Sequence, residues 1–190
     1  MIMNPPDYYW RTLSLPNFHD IQRKIQYFVI RSTTILKRGH YEGSNYRGEY
    51  SQQIIDNIPE LALNFKLAWG LNVNAAALFV AWPDSGTHIP HTDHMVLGNK
   101  ARINLPIFNC RDTYTAFYTN VQTNRRFQSN GEEYNAVINS DYIETTRVEI
   151  LEPTLLRVSE PHAVLVDKAR NYPRVTLTVK CDPDAVTLFN

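Results

Sequence analysis

The chain is 190 residues long, and its 19 Lys and Arg balance 19 Asp and Glu. That length can bury roughly two-thirds of the unfolded surface as one domain, and the balanced charge gives no clear signal for nucleic acid or another polyanionic partner. No run of about 18 apolar residues occurs, so no membrane span is expected.

The opening MIMNPPDYYW lacks the basic-then-apolar pattern of a secretion signal, and the expected location is cytoplasmic. Asn17 stands as an N-cap before Ile21, Ile25, Phe28 and Val29, whose spacing predicts a helix. Lys37 to Gln53, with three Gly, reads as a long loop. A second helix is expected near Asn57, with Pro59 in its first turn and Gly70 closing it; Ile58, Ala62, Phe65 and Trp69 form the face it should bury.

After Gly70 the period shortens. Asn74 to Trp82 is a compact apolar run, and Pro83-Asp84-Ser85-Gly86 reads as a turn. Arg102 to Phe108 alternates, with Ile103, Leu105 and Ile107 on one face and Arg102 and Asn104 on the other. Further strands are expected at Thr115–Tyr118, Tyr134–Ile138, Arg147–Leu151, Leu155–Val158, Ala163–Val166 and Arg174–Val179, with Gln122–Glu133 as a loop. The pattern predicts a mainly β chain with a helical flank (α+β), built as a two-sheet sandwich or jelly roll. One domain over 1–190 is expected, with the flank at about 1–72 and the core at about 73–182. Cys110 and Cys181 show no zinc-type spacing and read as two reduced thiols.

The densest chemical signal is His88-Ile89-Pro90-His91-Thr92-Asp93-His94, which holds three of the six histidines. In an extended segment residues i and i+2 share a face, so His91 and Asp93 can approach one ion together. They would supply two ligands of a two-His, one-carboxylate triad, which leaves positions open on iron. His162, at the start of an expected strand, is the best remaining third ligand, since His19 and His40 lie in the helical half. Farther on, Arg174 and Thr176 share a strand face; a guanidinium offers a bidentate fork to a carboxylate, and the hydroxyl can add a bond.

This order, His-x-Asp, a distant His, then Arg-x-Thr, resembles the 2-oxoglutarate and iron(II)-dependent oxygenase superfamily over roughly Asn74 to Val179. The resemblance implies a double-stranded β-helix, a jelly roll related to cupins. It implies that His91, Asp93 and His162 bind Fe(II), and that Arg174, aided by Thr176, grips the distal carboxylate of 2-oxoglutarate. It further implies a dioxygenase that uses O2 to hydroxylate an amino acid, a peptide side chain or a small metabolite, with desaturation or ring closure left open. Retention of Asp93 points away from the halogenating branch. Arg102 and Asn104 are candidates to line the pocket near the keto acid or the substrate, with Asn109, Tyr114 and Tyr118 behind them. His88 and His94 offer other registers for the metal, and Arg170 competes with Arg174. Two other functions fit parts of the pattern: a cupin-like metalloenzyme that needs no keto acid, and a non-catalytic jelly-roll binding module.

Overall fold

The computed structural model describes residues 5–32, 45–47, 51–83, 89–93, 100–127, 133–166 and 172–190. The helices are α1 (Pro6–Tyr9), α2 (Phe18–Arg31), α3 (Ser51–Asn57) and α4 (Pro59–Trp69), and a 3-10 turn at Ala185–Phe189 ends the chain. The strands are β1 (Trp10–Thr12), β2 (Asn45–Arg47), β3 (Asn72–Ala81), β4 (His91–Asp93), β5 (Arg102–Phe108) and β6 (Thr113–Thr119). They continue as β7 (Thr123–Phe127), β8 (Glu133–Val137), β9 (Ile143–Glu149), β10 (Thr154–Leu156), β11 (His162–Val166) and β12 (Arg174–Asp182).

The strands form two six-stranded sheets, ordered β1-β10-β5-β12-β3-β2 and β7-β8-β4-β11-β6-β9. Every pairing among the described residues is antiparallel. The arrangement is mainly β and consistent with a β-sandwich. No helix among the described residues is long and apolar enough to cross a membrane.

The helices cover one face of the first sheet. Phe18, Ile21, Ile25 and Val29 of α2 and Leu61 and Phe65 of α4 are buried against Leu78, Val80, Ile103, Leu105, Val175, Leu177 and Val179. Burial of this stripe is what makes α2 stable, since an isolated 14-residue helix is marginal in water. Asn17 does stand at the N-cap, but in the left-handed region (φ 55°) and without a side-chain cap bond. Gly70 terminates α4 with φ +71°, and its amide donates to the Lys66 carbonyl; a side chain would be strained in that conformation. Leu61 and Asn64 take inner positions that the sequence assigned to Ala62 and Trp69, which are half-buried.

The other face of the first sheet turns toward the second. Leu156 of β10 packs in one cluster with Phe117 and Val148 of the second sheet, together with Tyr9, Ile150 and Val158. By alternation, Arg102, Asn104, Arg174 and Thr176 share this inward face.

Two expected loops contain strands. Asn45–Arg47, inside the Lys37–Gln53 stretch, pairs as β2 with β3, and α3 begins at Ser51; residues 37–44 and 48–50 lie outside the described set. Thr123–Phe127, inside Gln122–Glu133, pairs as β7 with β8. Both are edge strands. Thr123, Asn124 and Arg125 are all exposed, so this stretch of the strand has no buried face to impose apolar alternation. The Pro83–Gly86 turn lies outside the described residues from 84 onward.

Candidate metal centre

β11 lies between β4 and β6, and its first residue fixes the site. His162 is opposite His91 on β4 and opposite Phe117 on β6. The register therefore sets two histidines face to face, with ring centroids 4.7 Å apart. Asp93, two residues past His91 on the same strand face, completes the group, and its amide donates to the Val158 carbonyl at 3.1 Å. The ligand atoms of His91, Asp93 and His162 all lie within 4.8 Å of one another, and these residues could hold a metal ion.

The tautomers suit that role. His91 Nδ1 is 3.1 Å from the Ile89 carbonyl, and His162 Nδ1 is 2.9 Å from the Glu160 carbonyl. A carbonyl only accepts, so each Nδ1 carries a proton, and Nε2 is the ring atom left to face a metal. Burial pushes the His162 pKa down to about 4, with the neighbouring His91 adding to the shift and Asp93 opposing it. The ring is thus neutral near pH 7, the form that ligates.

Aromatic packing holds His162 from behind. Phe117 lies 6.0 Å from its ring, and Tyr9 lies 5.3 Å from Phe117. Tyr8 donates its hydroxyl to Glu160 Oε1 at 2.9 Å, and Arg157 Nε donates to the Tyr8 carbonyl at 2.8 Å. The N-terminal segment thereby braces the turn whose carbonyl orients His162.

Arg174 is only 1% exposed, although it carries a guanidinium. Its Nη2 donates to Thr115 Oγ1 across the sheets at 3.2 Å, the Cys110 thiol is a further polar neighbour, and Nε and Nη1 are buried with no nitrogen or oxygen acceptor. Burial lowers its pKa, and the adjacent Cys110 opposes the shift. Both Cys110 and Cys181 are free and buried. Thr176 is also 1% exposed and shares the Arg174 face. The register of β12 against β5 shifts between Val175 and Thr176, opposite Pro106. Proline cannot donate to the ladder, and such irregularities re-aim side chains. Gln22 and Gln26 of α2 donate to the Pro106 and Ile107 carbonyls at 2.8 and 2.7 Å.

Arg102 is half-buried, and its charge acts on His162. Asn104, opposite Thr178, has a buried Oδ1 without a partner. Asn109 does not line this space; its amide donates to the Pro173 carbonyl at 2.8 Å and pins the residue before Arg174. Tyr118 packs with Ala116, Ala163 and Tyr142 on the outer face of the second sheet, and Tyr114 shares that face under Arg147. These two Tyr point away because Thr115 and Phe117 occupy the inward positions between and beside them. His88, His94 and Arg170 lie outside the described residues.

Sequence reasoning missed Thr115, Phe117, Tyr8, Tyr9 and Glu160. The alternation Thr113, Thr115, Phe117 was the available signal for the first two; nothing local marks the others. Comparison with protein-family models returns no match, and comparison with curated proteins returns none.

Proposed function

We propose that the chain is an Fe(II)- and 2-oxoglutarate-dependent dioxygenase that hydroxylates an amino acid, a peptide side chain or a small metabolite. Its core is then a double-stranded β-helix in one domain. In support, β3 to β6 alternate between the sheets, as do β9 to β12, and the inner orders β3-β12-β5-β10 and β4-β11-β6-β9 interleave them as a jelly roll does.

The observation that carries the reading is the guanidinium of Arg174. A buried cation whose Nε and Nη1 find no oxygen acceptor, with only a thiol beside them, is costly, and an anionic group with paired oxygens would relieve it. A dicarboxylate fits that requirement, and the metal-ligating trio lies nearby. On β6, Thr115, which holds Arg174, is two residues from Phe117, which faces His162: a step of roughly 7 Å. That is the scale of a short diacid reaching from the guanidinium to the metal ligands.

When bound, iron and 2-oxoglutarate supply O2 activation, with the keto acid oxidised to succinate and CO2 as one oxygen atom enters the substrate. The chain's own part is binding and orientation. His91 and His162 offer Nε2, Asp93 offers a carboxylate oxygen, and Arg174 with Thr176 grips the far carboxylate. Thr115 fixes the guanidinium plane. Phe117 and Val164 keep the inner wall dry.

The test is anaerobic titration of Fe(II) and then 2-oxoglutarate, followed by the visible charge-transfer band of the chelated keto acid. The band should need both additions, vanish in His162→Ala and demand far more keto acid in Arg174→Ala. Protein that binds Fe(II) without giving the band would instead be a cupin-like metalloenzyme; protein that binds no metal would be a binding module.

A further inference from the structure

The geometry points to a free α-amino acid as the substrate, its carboxylate paired with Arg102 and its amino group bonded to Asn104. This rests on the function proposed above and names the substrate class of that site.

Two guanidiniums face the space between the sheets, and they serve different places. Arg174 meets Thr115 and Cys110. Arg102 acts on His162, whose charged surroundings are His91, Asp93 and Arg102. In register, Arg102 is opposite Leu156, which packs against Phe117, the ring beside His162. Asn104, opposite Thr178, lies four residues along β12 from Arg174, roughly 13 Å of strand. That separation is longer than a five-carbon diacid, so the two side chains are rooted at different stretches of the inward face.

Among the described residues neither side chain meets a full partner. There the Arg102 guanidinium makes one hydrogen bond, a 3.4 Å contact from Nη1 to the adjacent Ala101 carbonyl. No carboxylate among the described residues forms an ion pair with it. Asn104 Oδ1 is buried and unpartnered, an acceptor in need of a donor. A cation and an acceptor at i and i+2 on one strand face stand roughly 7 Å apart at the backbone. They match a ligand carrying a carboxylate and an N–H donor on adjacent atoms. A free α-amino acid has both groups; a residue inside a peptide has neither a free α-carboxylate nor an ammonium.

The experiment measures succinate formed from 2-oxoglutarate by the Fe(II)-loaded protein, with each L-amino acid and with the amine left when its α-carboxylate is removed. At least one amino acid should raise turnover about tenfold or more, and its matching amine should not. Arg102→Gln should raise the KM for that amino acid about a hundredfold, and Arg102→Lys about tenfold, since the ammonium keeps the charge but not the fork. An amine that stimulates as well as its parent overturns the inference. So does protein that shows the Fe(II)–keto acid band and basal succinate formation yet responds to no amino acid. Absence of the band in metal-loaded protein sinks the proposed function itself, and this inference with it.

Discussion

Thr115 and Arg174 belong to different sheets and meet at 3.2 Å, the hydroxyl oxygen accepting from a guanidinium that is 1% exposed. That bond fixes the plane of a buried cation while leaving Nε and Nη1 without an oxygen acceptor. Under the proposed function, Arg174 costs the free protein stability at the place where it gains binding.

Replacing Arg174 by Met tests that opposition. Removing an uncompensated buried charge for an apolar chain of similar length should stabilise the ligand-free protein by about 1–3 kcal/mol. The urea midpoint should rise. 2-Oxoglutarate should raise the melting temperature of the wild-type Fe(II) protein and leave that of the variant unmoved. A variant that loses several kcal/mol would mean the guanidinium is already paired in the free protein.

Thr115→Val removes the hydroxyl at nearly constant volume. It leaves a third nitrogen of Arg174 without an oxygen acceptor, which should cost about 1–2 kcal/mol. Under the proposed function the KM for 2-oxoglutarate should rise about tenfold with kcat little changed, because the plane of the fork is lost and the metal ligands are not touched. A fall in kcat at constant KM would move Thr115 out of the carboxylate subsite.

The two halves of the site differ in how far the sequence exposed them. His91 and Asp93 share a strand face by spacing alone, and Arg174 and Thr176 do likewise. What brings these pairs together is long-range register, such as His162 opposite His91, and no local pattern carries that. The same holds for β7, an edge strand whose Thr123, Asn124 and Arg125 are all exposed and so carry no apolar alternation. Tyr8 and Tyr9 brace the site from a segment that packs against it more than a hundred residues away in sequence. Their sequence neighbourhood shows nothing of that contact.

His162 makes metal-free stability depend on pH. Its folded pKa is near 4 against an ordinary histidine value of 6.5, so the unfolded chain takes up a proton that the native state refuses. Nothing is lost above about pH 6.5; stability falls as pH drops from there to about 4, and the penalty is complete below that. At pH 5 it should amount to about 2 kcal/mol. Chelator-treated His162→Gln should lack this component, so the gap between wild-type and variant urea midpoints should change between pH 7.5 and pH 5. Parallel profiles would show that the ring is already protonated, or is solvated, in the native state.

Phe117→Leu separates packing from ligation. Phe117 is fully buried, 6.0 Å from the His162 ring and 5.3 Å from that of Tyr9. The smaller side chain leaves a gap at that contact, and the loss of area and of the aromatic pair should cost about 1–3 kcal/mol. The candidate metal ligands His91, Asp93 and His162 are themselves unchanged. Yet a ligand whose ring is no longer held in one orientation binds more weakly, and support of this kind is commonly worth about tenfold or more in metal affinity. Competition with a coloured chelator at neutral pH measures that affinity directly, and urea unfolding measures the packing loss in the same samples. The expected result is both losses together. Reduced stability with undiminished affinity would show that the Nδ1 contact to the Glu160 carbonyl orients His162 by itself, and that Phe117 fills space without positioning the ligand.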